Sequence, residues 1–313
     1  MNISNSHQRV SAVIARIPPT TIGLALALLA TALFSLKGIW IKLAYLDGID
    51  PASLMTLRMA FSLPIYLALG LFWWLRGRFT NKPIASHLLT ASLVGIAGYY
   101  LASYLDLSGL QYISAPLERV VLYVYPSFTI LLAWLVYQHK PQAVFIVALP
   151  ISWLGVALMM WSETSNQGLS QGVLLGTGLV VASAFSFAFY LVFSKAIVNQ
   201  IGSQAFTCIA MIAASLAIFI HFFLQDSLNP LDSYPEQVYV YALYMAIFST
   251  VIPSFLFSEA INRIGAQRTA ISGSAGPVFT LLMANWVLGD SISLYQLVGI
   301  ALVIMAVAML NRK

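Results

Sequence analysis

Apolar stretches of about 20 residues recur along almost the whole of this 313-residue chain, with little sequence between them. A helix of about that length crosses a hydrocarbon core ~30 Å thick. Inside such a core each backbone N–H and C=O must be satisfied within its own segment, so the stretches are expected to be helices. Ten spans are read, over residues 21–45, 51–75, 86–107, 114–137, 142–161, 172–196, 204–224, 236–260, 266–288 and 293–310. Only 8% of residues are charged, against roughly 25% in a soluble domain. The expected fold class is an all-α membrane protein of ten transmembrane helices, whose first partner is the lipid bilayer. The connections are too short to hide a soluble domain.

Charge divides those connections cleanly. The odd-numbered ones hold Asp47, Asp50, Glu163, Asp226, Asp232, Glu236 and Asp290, and no Lys or Arg. The two termini and the even connections hold Arg9, Arg16, Arg76, Arg78, Lys82, Lys140, Lys195, Arg263, Arg268, Arg312 and Lys313. By the positive-inside rule both termini are expected in the cytoplasm. The net charge of +5 then reflects topology, and no nucleic-acid partner is expected. The first apolar run contains Lys37 and Lys42 and no clear cleavage site, so it is expected to be retained. The single Cys208 excludes an intrachain disulfide, and His7, His87, His139 and His221 have no metal-ligand spacing. No metal and no cofactor are expected. No GxxxxGK[ST], HExxH or GxSxG occurs, so neither an ATP-driven pump nor an enzyme is expected.

The second half echoes the first. A shift of 151 residues lays Ile113 on Ile264, Ala115 on Ala266, Pro126 on Pro277, Phe128 on Phe279 and Thr129 on Thr280. A shift of 153 brings Gly23 to Gly176, Phe34 to Phe187 and Lys42 to Lys195. Five spans per copy is an odd number, so the second copy enters from the opposite side. Two inverted five-helix repeats result, a build that serves alternating access, with substrate at the repeat interface. The expected units are residues 1–20 as a cytoplasmic segment, 21–161 as the first repeat, 162–171 as an extracytoplasmic linker and 172–310 as the second repeat.

This pattern, with "SAPLERVVLYVYP" (Ser114–Pro126) opening the fourth span and "VLGDSISLYQLVGIALVIMAVAML" closing the chain, resembles the EamA-type branch of the drug/metabolite transporter superfamily. Where that family commonly has Gly-Glu before the last span, this chain has Gly289-Asp290, and its first half has Gln138-His139. The resemblance implies a secondary transporter of the plasma membrane, exporting by default, with a passive facilitator, exchanger or channel-like uniporter as the alternative. It implies no one substrate, because the superfamily moves amino acids, nucleotide sugars, phosphorylated sugars, cations and drugs.

Subtracting the connections leaves Lys37, Lys42, Arg58, Asp106, Glu118, Arg119 and Glu259 inside the spans. Charges at that depth are costly facing lipid and belong against a cavity or one another. All but Glu259 fall toward the outer half. Lys42 is expected to snorkel to the surface. Adjacent helical positions point about 100° apart, so Glu118 is expected to pair with Arg58 or Lys37, and Arg119 with Asp106. Two roles stay open for this layer: an ion-pair brace that gates the outer end, or direct substrate contact. Its positive excess favours an anionic or zwitterionic small polar metabolite, such as an amino acid or organic acid, with protons as the coupling ion. Glu259 is expected to latch onto Arg263 or Arg268 as an inner gate. Trp40, Tyr99, Tyr104, Tyr123 and Tyr190 are candidate walls, with Ser272 and Ser274 opposite them, and Pro126 and Pro277 are expected to bend spans 4 and 9.

Overall fold

Helices occupy nearly all of the computed structural model, which describes residues 19–77, 84–138, 143–167, 171–225, 230–273 and 275–310; certain side chains within those ranges, Arg268 among them, lie outside the description. In chain order the helices are α1 (Pro19–Leu46), α2 (Pro51–Leu75), α3 (Ala85–Leu110), α4 (Ala115–Tyr137), α5 (Val144–Gln167), α6 (Gln171–Ile201) and α7 (Ser203–Phe223). Then come α8 (from Glu236 through Ile252–Gly273), α9 (Gly276–Leu288) and α10 (Leu294–Leu310). Among the described residues, eight helices are long and apolar enough to cross a membrane; the last two are shorter apolar helices.

Local chemistry explains the helix starts. Asp50 caps α2 by accepting from the Ser53 N–H at 2.9 Å, with Pro51 in the first turn where its missing N–H costs nothing. Ser114 caps α4 by accepting from the Leu117 N–H at 3.3 Å, with Pro116 behind it. Two connections differ from the sequence reading. Residues 261–265, expected to separate two spans, are helical within Ile252–Gly273. The only breaker there is Gly265, which costs about 1 kcal/mol in a helix, while Ala260 and Ile264 pack on Ala27 of α1. Residues 162–167, expected in a linker, extend α5.

Irregularities recur 151 positions apart. α3 carries a π turn at Ile96–Leu101 and α8 one at Ile247–Val251. α4 is interrupted between Leu122 and Tyr125, just before Pro126, and the helical run breaks again between Gly273 and Gly276, just before Pro277. The helices that follow end in the left-handed region, at Gln138 (φ 55°) and Gly289 (φ 75°). Pro277 has no N–H for the carbonyl of Gly273, four residues back. The Tyr123 hydroxyl donates to that carbonyl instead, so the break in one half is bonded by a side chain of the other.

Small residues set the close approaches. Gly155 and Gly299 bring α5 and α10 together, and Gly109 and Gly176 do so for α3 and α6. Between helices, Ser186 Oγ donates to the Ala97 carbonyl at 2.7 Å (α6 to α3) and Ser249 Oγ to the Leu33 carbonyl at 3.1 Å (α8 to α1). The acidic connections gather at one end, here the acidic end. There Tyr234 donates to Asp50 at 2.9 Å and Ser162 meets Ser293 at 2.6 Å. Apolar side chains cover the flanks, such as Leu89, Ile146, Trp161 and Trp286, all exposed.

Candidate functional site

Just inside the acidic end, the first four helices place five charged side chains in one buried layer. α1 contributes Lys37, α2 Arg58, α3 Asp106, and the first turns of α4 contribute Glu118 and Arg119. Asp106 is 1% exposed, Glu118 0% and Arg58 4%. Lys37 Nζ lies 2.5 Å from Asp106 Oδ2. Arg119 donates through Nη2 to the Phe34 carbonyl at 2.9 Å, while its Nε stands 4.0 Å from Glu118 Oε2. Glu118 also lies against Gly38 of α1, where a Cβ would come within 3.4 Å of Oε2.

The pairing differs from the expected one. Lys37 takes Asp106 Oδ2, and Arg119 turns to the backbone carbonyl of Phe34. Bonding in the layer is incomplete. Among the described residues, Asp106 Oδ1, both Glu118 oxygens, Arg58 Nε and Arg119 Nε are buried without a hydrogen bond. Lys42 is half-buried, within electrostatic reach of Glu163, Asp290 and Glu118. Burial pushes the Asp290 carboxyl above its ordinary range, and the Lys42 charge pulls it back.

The aromatic candidates divide. Tyr99 and Tyr190 join α3 to α6 through hydroxyls 2.9 Å apart, with ring centroids at 5.0 Å. Gly98 makes this possible, since a side chain there would collide with the Tyr190 ring. Tyr123 spans to the break before α9. Trp40 packs instead on Tyr244 and Phe248 of α8, and Tyr104 stands edge-on to His221 of α7 at 4.7 Å. Ser272 is buried one turn before Gly276, whose carbonyl accepts from Ser35 Oγ at 3.1 Å. Ser274 lies outside the described residues. Toward the acidic end, a shallow open cleft of about 330 Å³ is lined by Tyr45, Gly48, Ile49, Asp50 and Gln111. Tyr45 links cleft and layer by donating to the Leu107 carbonyl at 2.7 Å.

At the opposite, basic end, Arg263 Nε donates to Glu259 Oε1 at 2.7 Å, an exposed i,i+4 pair. The alternative partner, Arg268, has its side chain outside the description. One residue bonded to the turn that carries the layer is not found by sequence reading. Glu163 was counted as a loop acid, yet it accepts from Ser114 N at 2.6 Å and Ser114 Oγ at 2.5 Å, where α4 begins. The Ser-x-Pro start of α4 signals a cap, but nothing local points to a carboxylate 49 positions on.

The layer belongs to one half only. At the shifts that align the halves, Lys37 corresponds to Tyr190, Arg58 to Met211, Asp106 to Phe257, Glu118 to Thr269 and Arg119 to Ala270. Every charge has a neutral counterpart.

A model described as the EamA-like transporter family matches this chain twice, over residues 21–161 and 174–312. An uncharacterized transporter of Bacillus subtilis (strain 168), YcbK, is 30% identical over 284 residues, covering 88% of each chain. An uncharacterized transporter of Archaeoglobus fulgidus is 25% identical over 71% of this chain and 75% of its own. One crystal structure shares the fold with a TM-score of 0.62 at 17% identity, over 92% of this chain and 95% of that one.

Proposed function

Because the chain belongs to the EamA-like transporter family, we propose that it is a secondary transporter that carries a small polar organic metabolite by alternating access. The substrate class is an amino acid or organic acid, anionic or zwitterionic, and the direction is export across the bacterial inner membrane. The observation that carries this reading is the incompletely bonded layer of Lys37, Arg58, Asp106, Glu118 and Arg119 just inside the acidic end. A structural brace alone would pair its donors and acceptors, because each buried group left unmade costs about 1–3 kcal/mol. Groups kept unsatisfied are ready for a polar solute.

The chain is read as ten spans in two inverted five-helix repeats, residues 21–161 and 172–310, joined through 162–171, with both termini cytoplasmic. Support comes from the matched π turns, proline breaks and left-handed helix ends, and from the pairing of helices. Exchanging the halves turns the α6–α3 contact at Ser186 and Ala97 into the α1–α8 contact at Leu33 and Ser249. Rocking one half against the other would open the acidic end by separating α1 and α3 at Lys37–Asp106, and close the basic end around Glu259 and Arg263. The Tyr123 bond to the broken helix before α9 lies at the pivot.

Uptake of labelled amino acids and organic acids into proteoliposomes, with and without an imposed pH gradient, tests this. The expected result is saturable uptake with counterflow for one class, lost in Arg119→Ala and Glu118→Gln. Uptake no faster than in protein-free vesicles across the panel, or wild-type rates in both variants, would sink the reading.

A further inference from the structure

Asp106 of α3 and Glu118 of α4 are buried carboxyls of one layer, electrostatically coupled to each other, with Asp106 Oδ1 and both Glu118 oxygens lacking a hydrogen bond. As two carboxylates they could not bond, since each offers only lone pairs. The cations nearby do not resolve this. Lys37 of α1 is engaged with Asp106 Oδ2 at 2.5 Å. Arg119 of α4 donates to the Phe34 carbonyl and keeps its Nε 4.0 Å from Glu118. Arg58 of α2 and Tyr45 of α1 lie within electrostatic reach of Asp106. Lys42 of α1 and Tyr123 of α4 lie within reach of Glu118. Among the described residues, none of these bonds to Glu118, or to Oδ1 of Asp106.

One proton completes the arrangement. On a Glu118 oxygen it creates a donor toward Asp106, while the negative charge stays on Asp106 opposite Lys37. Like-charged carboxyls brought together in a water-poor site share a proton for the same reason. Gly38 contributes by leaving the space beside Glu118 Oε2 free of a side chain. We propose that Asp106 and Glu118 form an internal proton-binding site, a carboxylic acid paired with a carboxylate, occupied while the charged layer is closed. The balance is one proton taken up by the Glu118 carboxylate and released to water when the layer opens. The use of that proton to drive transport rests on the transporter reading; its binding does not.

Infrared spectroscopy of the purified full chain in lipid, with no substrate added, tests the site directly. The wild type is expected to show a carboxylic-acid carbonyl band at neutral pH that fades as the pH is raised. Glu118→Gln should lose the band entirely, and Glu259→Gln should keep it. Absence of the band from the wild type, or its persistence in Glu118→Gln, overturns the proposal. Should Glu118→Gln not fold, Asp106→Asn decides: changing the acceptor must shift the band, and an unshifted band overturns the site. A protein that shows the assigned band yet transports none of the probes keeps the proton site and loses the transporter reading.

Discussion

The Glu163 carboxylate accepts from both the backbone N–H and the hydroxyl of Ser114, tying the end of α5 to the first turn of α4 at 2.6 and 2.5 Å. An anion at a helix N-terminus also meets the positive end of the helix dipole. The turn it holds is the one that carries Glu118 and Arg119. Glu163→Ala is expected to lower stability by about 1.5–3 kcal/mol, the range for hydrogen bonds to a charged group. Thermal unfolding in detergent measures this, and an unchanged midpoint would show the strap to be idle.

Lys37 and Asp106 form the tightest ion pair of the charged layer among the described residues. Removing one partner leaves a buried charge alone, so Lys37→Met and Asp106→Asn should each destabilise by about 3–5 kcal/mol. The double variant Lys37→Met/Asp106→Leu should recover much of that loss. A double-mutant cycle reads the coupling, and additive single effects would contradict the pairing.

Arg58 is buried with its Nε unbonded, among Leu54, Met55 and Met59. The Asp106 charge lies within electrostatic reach and offsets only part of the cost of that burial. Arg58→Met should therefore raise stability, by about 1–3 kcal/mol for a relieved unsatisfied donor, while abolishing uptake. A variant that is less stable and still transports would reverse the assignment.

Two glycines give opposite outcomes. A Cβ at Gly98 would collide with the Tyr190 ring, whereas one at Gly178 would meet nothing within 4 Å. Gly98→Ala should push α3 and α6 apart, break the Tyr99–Tyr190 hydroxyl contact and depress both stability and uptake. Gly178→Ala should stabilise by roughly 0.5–1 kcal/mol through helix propensity. Parallel melting curves of the two variants check the contrast.

Much of this was legible in the chain because a bilayer imposes strong rules. Apolar runs located the helices, and subtracting the loop charges isolated Lys37, Arg58, Asp106, Glu118 and Arg119, which the fold brings into one layer. Pro126 and Pro277 marked two real breaks. The pairing within the layer was not legible, because it depends on helix rotation. Arg119 turns to the Phe34 carbonyl, an acceptor every residue carries and no sequence pattern flags. Tyr104 and Trp40 shared helices with layer residues yet pack on His221 and on Tyr244 and Phe248, since neighbouring helices compete for each aromatic face. The helical turn through residues 261–265 was missed because polar composition reads as loop, while α1 supplies an apolar surface for Ile264.

Because the charged layer has neutral counterparts, its charge in the membrane field has no matching layer in the other half. Three cations and two carboxyl groups sit near the acidic end, where the corresponding sequence positions of the other half hold Tyr, Met, Phe, Thr and Ala. Moving one elementary charge through the whole field is worth about 2.3 kcal/mol per 100 mV. In a rocking cycle this layer would sweep its net charge through part of that field, with no matching layer in the other half to offset it. The two half-cycles would then respond unequally to potential. Those charges return to their starting place at the end of each cycle, so potential would bias which end the resting protein holds open, and not the direction of net transport.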